Sequence, residues 1–437
     1  MRNRPSFGAP FLSALIGLAA LQGCAKSNSH TDEVVVWHWM TDRDDALQKL
    51  ANDYQKTHQT HIRLELYAPS DAYSSRVRAS AQTNTLPDIF GVLGETRDLA
   101  SFIKSGHILN LNDAMNADQR AWYKQFFAKA LANNTFEAGN QYDVTPGIYG
   151  VPIDVTNIQM LYNKDLFKQA GLDPDKPPRT WEEWLQDWHK LKAAGIPGMA
   201  SGWGETWMID CFASNYAFNI MGEKKVLDTF RGKVPYTDPD WIKVLGLFDE
   251  IRKEELLVPG VVTMINKTAE QTFANGKAAF AFNGSWCVNV YRGMNPDLNY
   301  GIMPPPRVGG SYPMRIWGGA GSSFMVNARS THQKEALDFL KWLSSADPQA
   351  SLSKETMNLP ASKESVGQLP DHLAAFAAQM DITTHPSQWP VAELPTVVEA
   401  FDKGIQSILI GEKTPAQVAE DVEKQKRDQL SRSGSGH

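Results

Sequence analysis

Three cysteines in 437 residues are too few for a disulfide scaffold. No block of lysine and arginine stands out. The 43 basic and 49 acidic side chains give a net charge of −6, or −8 once the two arginines of residues 1–23 are set aside. That balance argues against a nucleic-acid partner. There is no G-x-S-x-G elbow, no G-x-x-x-x-G-K phosphate loop and no H-E-x-x-H pair, so the common hydrolase, nucleotide and zinc signatures are missing. Internal repeats and low-complexity linkers are also missing. If the chain makes two lobes, it therefore crosses between them more than once. What is present is a water-soluble globular composition: 42% apolar, 21% charged and 10% aromatic. The length allows two or three domains at roughly 150 residues each.

The first residues stand apart from the fold. Arg2 and Arg4 precede an apolar run from Phe11 to Leu21. That run is short of the about 20 residues that span a bilayer, and it reads as a secretory signal. It stops at Leu21-Gln22-Gly23-Cys24, which resembles a bacterial lipobox. Residues 1–23 are expected to be a lipoprotein signal peptide. Cys24 is expected to carry lipid, and residues 24–32 to be a flexible tether.

Glu33 to Trp39 is β-branched and aromatic and reads as a buried strand. A helix from Asp44 to His58 follows, with Leu47, Leu50, Ala51 and Tyr54 on one face. Ile62–Tyr67 alternates as a strand, residues 70–83 form a helix, and residues 87–93 form a third strand. This order predicts a parallel α/β sheet. Thr180 and Glu183 predict a capping box. The helix it opens carries Trp181, Trp184, Trp188 and Leu191 on one stripe, which reads as core. Strands are expected at 278–283, 300–303 and 322–327. A helix capped by Thr331 should run to about Leu343, and a last helix should begin at Thr414-Pro415. Residues 431–437 read as a disordered tail. Cys211 and Cys287 are expected to be free buried thiols. His58 and His61 straddle a helix end and a strand start, so they make no metal pair.

Thirteen tryptophans are the conspicuous excess. Trp37 and Trp39 alternate with His38 at the end of a strand, and Trp37 reads as core. Trp203 and Trp207 bracket Gly204-Glu205-Thr206. Trp286 follows Asn283-Gly284-Ser285, Trp317 precedes Gly318-Gly319, and Trp389 lies in a proline-flanked loop. Ligands of open α/β sheets bind beyond the carboxyl ends of the strands. An indole there offers a flat apolar surface on which the C–H face of a pyranose can stack. Nearby Asp, Glu and Asn can bind its hydroxyls. Trp203, Trp207 and Trp286, flanked by glycine and outside any apolar stripe, are the best candidates.

These residues bring a family into view. Gly150-Val151-Pro152, Leu161-Tyr162-Asn163-Lys164-Asp165-Leu166-Phe167, Ala170-Gly171-Leu172 and Pro178-x-Thr180-Trp181-Glu182-Glu183 form one block. Phe273-x-x-Gly276-Lys277-Ala278-Ala279 running to Asn283-Gly284-Ser285-Trp286 forms a second. Gly318-Gly319, the stretch from Ala336 to Leu343 and Leu359-Pro360-Ala361 form a third. Together they resemble the family 1 extracellular solute-binding proteins of bacterial ABC importers, over nearly all of residues 33–430.

The resemblance implies a two-lobed α/β periplasmic-binding-protein fold of type II, with the ligand cleft between lobes. Lobe one is expected at 33–144 plus 304–346, and lobe two at 145–303 plus 347–430. The resemblance also implies an exported, monomeric, membrane-anchored protein that binds a mono- or oligosaccharide and hands it to permease subunits. It implies neither catalysis nor a cofactor or metal. The site residues it implies are Trp39, Thr41 and Asp42 after the first strand, and Glu95 after the third. Asp154, Thr156 and Asn157 follow the crossing. Trp203, Glu205, Trp207, Trp286, Trp317, Gly318, Gly319 and Trp389 complete the set.

Two other readings stay open. A glycerol phosphate could use Arg307 and Arg315, although Asp42, Glu95 and Asp154 would make the cleft acidic and repel it. A secreted glycoside hydrolase would need two of those carboxylates at a defined separation.

Overall fold

Glu33–His38 (β1) has both faces covered, as its β-branched run requires: Val34, Val36 and His38 are fully buried. Asp44–Thr57 (α1) then buries Leu47, Leu50, Ala51 and Tyr54 against it. His61–Leu66 (β2), Ser70–Thr83 (α2) and Ile89–Phe90 (β3) complete the strand–helix–strand–helix–strand order. β1 pairs in parallel with β2 and with β3, as the alternation predicts. The computed structural model describes residues 33–434 except 69, 94, 95, 141, 311 and 385–392. The signal, Cys24 and the tether lie outside the described residues, as do Glu95 and Trp389.

Val151–Pro152 (β4) belongs to the first sheet, but after one residue the chain starts Asp154–Asn163 (β5), the central strand of the second. The second sheet adds Met199–Ala200 (β6), Phe280–Gly284 (β7), Tyr300–Met303 (β8) and Gly318–Ala320 (β9). Ser323–Val326 (β10) returns to the first sheet, between β3 and β4. Leu359–Pro360 (β11) goes back to pair with β5. The first sheet is ordered β2-β1-β3-β10-β4, and the second β8-β5-β7-β6, with β9 and β11 also on β5.

The chain thus crosses at 153, 321–322 and 357–358. The crossings expected at 144/145, 303/304 and 346/347 are corrected accordingly. Residues 304–320 stay with the second sheet because β9 pairs with β5 and Trp181 N–H donates to Arg307 O at 3.0 Å. Lys49 of α1 forms an ion pair with Glu355, which keeps residues up to 356 beside the first sheet.

Trp181–Ala193 (α3) starts at the expected box: Glu183 N–H donates to Thr180 Oγ1 at 3.2 Å, and Thr180 N–H to Glu183 Oε2 at 3.2 Å. Trp181, Trp184 and Trp188 are buried in the second lobe's core. Each such side chain contributes about 1.5–3 kcal/mol of transfer free energy. Trp207–Phe230 (α4), Asn266–Ala274 (α5), Gln333–Leu343 (α6), Ala346–Thr356 (α7), Pro395–Leu409 (α8) and Pro415–Gly434 (α9) are the further helices that matter here.

The cap expected of Thr331 is corrected. α6 starts at Gln333, and the hydroxyl that accepts from this turn is Ser330 Oγ, 2.8 Å from His332 N. α9 is entered as expected, with Gln417 N–H donating to Thr414 Oγ1 at 3.3 Å. It continues to Gly434, so residues 431–434 extend the helix and are not part of a tail. Cys211 and Cys287 are both free and buried. Among the described residues no helix is long and apolar enough to cross a membrane, and no His, Cys, Asp or Glu cluster could hold a metal ion.

Candidate functional site

All three crossings open on one cavity of about 520 Å³ between the two sheets. The first lobe lines it with Trp39, Arg43, Val92, Leu93, Thr96 and Leu99. The second contributes Thr156, Trp207, Ser285, Trp286 and Trp317. Asp154, Gly321, Ser322 and Asn358, all within two residues of a crossing, also line it. A ligand here would touch both lobes and the strands that join them.

Trp39 ends β1, and its ring lies 5.1 Å from that of Tyr73. Gly91 makes the room, since a Cβ there would sit 2.1 Å from Trp39 Cζ3. Trp286 follows β7 and folds back over Gly284, where a Cβ would sit 2.0 Å from its Cζ3. Trp207 opens α4 with 38% of its surface exposed. The Trp207 and Trp286 rings are 5.9 Å apart and tilted by 50°.

A chain of hydrogen bonds stands behind these two indoles. Trp207 Nε1–H donates to Glu205 Oε2 at 3.2 Å, and Asn266 N–H donates to Glu205 Oε1 at 2.8 Å. Asn266 Nδ2 donates to Glu270 Oε1 at 2.9 Å, as does Asn283 Nδ2 at 3.1 Å. Burial pushes the Glu270 carboxyl above its ordinary range, with Glu205 adding to the rise, while the amide and indole donors oppose it.

Among the described lining residues the charges balance. Arg43 and Asp154 are the only charged groups among the described lining residues, and they form an ion pair. Their side chains are 14% and 8% exposed. Arg43 Nη1 also donates to Ser322 Oγ at 3.1 Å, and Ser322 N–H donates to Asp154 Oδ1 at 2.6 Å. Thr156 Oγ1 and Ser285 Oγ are 3.2 Å apart, and Asn134 Nδ2 donates to Ser323 Oγ at 2.9 Å.

Of the residues singled out in the sequence, the structure brings Trp39, Asp154, Thr156, Trp207, Trp286 and Trp317 to this cavity. Others lie elsewhere. Trp203 is completely buried, packed on Phe212 and Phe248, because its loop turns inward. Asn157 is buried too, and its Nδ2 donates to Phe376 O at 3.0 Å. Glu205 stands behind Trp207 rather than at the cavity wall. Gly318 and Gly319 are buried in β9, where a Cβ on Gly318 would lie 2.5 Å from Thr156 O. Their missing side chains let two strands come close. Thr41 and Asp42 are exposed and do not line the cavity. Asp42 accepts instead from Arg43 Nε at 3.3 Å and Asn358 Nδ2 at 3.4 Å.

Sequence reasoning missed Arg43, Asn134, Ser285, Ser322, Ser323 and Asn358. Arg43 and Ser285 had a signal, because each adjoins a residue chosen at a strand's carboxyl end. Asn358 had none. Arg307 and Arg315 are not among the lining residues.

Two α/β lobes threaded three times, with a cavity of indoles, hydroxyls and one Arg–Asp ion pair between them, define a cleft-type binding protein. The chain belongs to the bacterial extracellular solute-binding proteins, whose family profile matches residues 38–350. It is similar to the multiple sugar-binding protein of Streptococcus mutans, 23% identical over 77% of this chain and 78% of that one. The sn-glycerol-3-phosphate-binding periplasmic protein of Salmonella paratyphi A is 26% identical over 68% of this chain and 70% of its own. Among solved structures, a chitin oligosaccharide binding protein shares the fold. It has a TM-score of 0.67, is 24% identical, and the match covers 90% of this chain and 98% of the other.

Proposed function

We propose that this protein captures a neutral mono- or oligosaccharide between its lobes and delivers it to the permease of an ABC importer. The observation that carries the reading is the Trp207–Trp286 pair facing a cavity whose only described charges cancel. Tilted indoles give a sugar ring two apolar faces, while Thr, Ser and Asn side chains are sized for its hydroxyls. The sugar-binding name of the S. mutans relative agrees with this.

The glycerol-phosphate name of the Salmonella relative points to an anion instead. Here the one arginine of the described lining is already paired, and Arg307 and Arg315 lie elsewhere. Catalysis is not proposed, because a glycosidase needs two facing carboxyls and Asp154 is engaged by Arg43. Residues 1–23 are proposed to direct export, with a lipid on Cys24 holding the protein at the membrane surface. Calorimetric titration with a panel of neutral oligosaccharides, and with glycerol 3-phosphate, tests the ligand. Binding of the phosphate alone would overturn the sugar reading. Release of shortened products during incubation would overturn the non-catalytic one.

A further inference from the structure

We propose that Asp154 is a specificity-determining residue: by occupying Arg43 it masks the cleft's guanidinium and closes the site to anionic solutes. The inference rests on the cavity being the ligand site. Arg43 sits at the junction of β1 and α1, where its planar fork could meet a phosphate or carboxylate with two donors. In this chain part of that fork is taken from within. Nη1 meets Asp154 and Ser322 Oγ, and Nε meets Asp42. An incoming anion would have to displace a carboxylate that is 8% exposed, or take the remaining Nη2 donors beside that negative charge. Both cost free energy, because removing one partner of a buried pair leaves the other uncompensated.

Asp154 is also held from its other side. Its Oδ1 accepts from Ser322 N at 2.6 Å, and its carboxylate lies directly under Gly321, where a Cβ would come within 1.9 Å of Oδ1. A glycine at 321 is what leaves that space. The carboxylate cannot swing clear without giving up the Ser322 amide, so the mask is fixed by the crossing strand and not by a mobile surface contact. A change of one atom removes it. The amide of Asp154→Asn can keep its oxygen on the Ser322 N–H, and it then presents an NH₂ group to the guanidinium. Arg43 loses its buried counter-charge and gains an unmet need for an anion. Asp42 remains on Nε, but its side chain is 54% exposed and screened by water.

The test uses the folded mature protein with inorganic phosphate and glycerol 3-phosphate as probes, followed by titration calorimetry at low and high salt. The wild type should bind neither. D154N should bind at least one, at least about tenfold more tightly than the wild type, and the gain should shrink as salt rises. The double variant R43Q/D154N should lose the gain. D42N/D154N should bind the anion at least as well as D154N, which covers the case in which Asp42 alone still holds the fork. A wild type that binds phosphate, or an R43Q/D154N protein that keeps the gain, would overturn the proposal. So would folded D154N and D42N/D154N proteins that both ignore the anions. None of these readouts uses a sugar. If D154N captured phosphate while no variant bound a saccharide, the mask would stand and the sugar reading would fall.

Discussion

The Trp286 indole leaves its strand over Gly284 and faces the cavity beside Trp207, 5.9 Å away. Its removal should therefore cost binding and not folding. Trp286→Ala is expected to weaken saccharide affinity at least tenfold, since losing a stacked apolar surface costs about 1.5–3 kcal/mol and 1.4 kcal/mol is a factor of ten. Its melting temperature should stay near wild type. Trp203 supplies the contrast. It is fully buried against Phe212 and Phe248, so Trp203→Ala should cost about 3–5 kcal/mol of stability. Titration calorimetry and melting curves on the two variants separate the roles. A Trp286→Ala protein with unchanged affinity would place that ring outside the site.

At the scale of elements, the junction of α5 with the loop before α4 fixes the indole pair. Asn266 bonds Glu205 through its backbone and Glu270 through its side chain, and Glu205 in turn accepts from the Trp207 indole. Loops 201–206 and 263–266 can approach because Gly202 and Gly204 have no Cβ. One at 202 would meet Asn266 Cα at 2.6 Å. Asn266→Ala should cut the side-chain link and lower saccharide affinity by about three- to tenfold, roughly the worth of one buried hydrogen bond. The Trp207–Trp286 signal in near-ultraviolet circular dichroism should change with it. An unaltered spectrum and affinity would show that the pair is held by packing alone.

A second buried carboxyl, on α8, gives the second lobe a pH dependence. Burial pushes Asp402 up to about 7 and Glu399 adds a like charge, while Asp210 and the Thr206 hydroxyl oppose the rise. The native state then keeps a proton that the unfolded chain releases near 3.8. This contribution to stability is complete below that pH and is lost as the pH rises through about 7. Between about pH 5 and about pH 8 this lowers the unfolding midpoint of the wild type, against the opposite contribution of the lowered His38 and His107 imidazoles. Asp402→Asn should flatten the fall, leaving what the raised Glu270 and Asp187 carboxyls contribute.

For the whole molecule, three crossing strands at 153, 321–322 and 357–358 make a short connection beside the cavity. A ligand that touches both lobes gains contact by drawing them together, the hinge motion of such folds. Small-angle scattering at saturating saccharide should show a smaller radius of gyration. A profile identical to that of the free protein would refute closure. Anchoring belongs to this scale as well. Cys24→Ala should abolish incorporation of a labelled fatty acid during expression in a bacterial host, and undiminished labelling would remove the lipid from the account.

What the sequence determined by itself was local. The Thr180–Glu183 box, the stripe of Trp181, Trp184 and Trp188, the alternation of strands and helices over the first ninety residues and the break at Gly284 all depend on residues within a few positions of one another, so spacing alone reveals them. The family blocks added the two-lobed plan. Only the tertiary structure decided which tryptophans face the cavity. Trp203 and Trp207 share one glycine-rich loop, yet one packs on Phe248 and the other on Trp286. It also set the crossings, since β9 and β10 are assigned to their sheets by partners far away in the chain. And it decided which of the described acids carry charge into the site. Asp42, Glu95 and Asp154 read as an acidic cleft, but Asp42 faces outward, and Asp154 is neutralised by an arginine 111 positions distant. An ion pair of that kind exists only once the fold has brought its halves together in a space with little water.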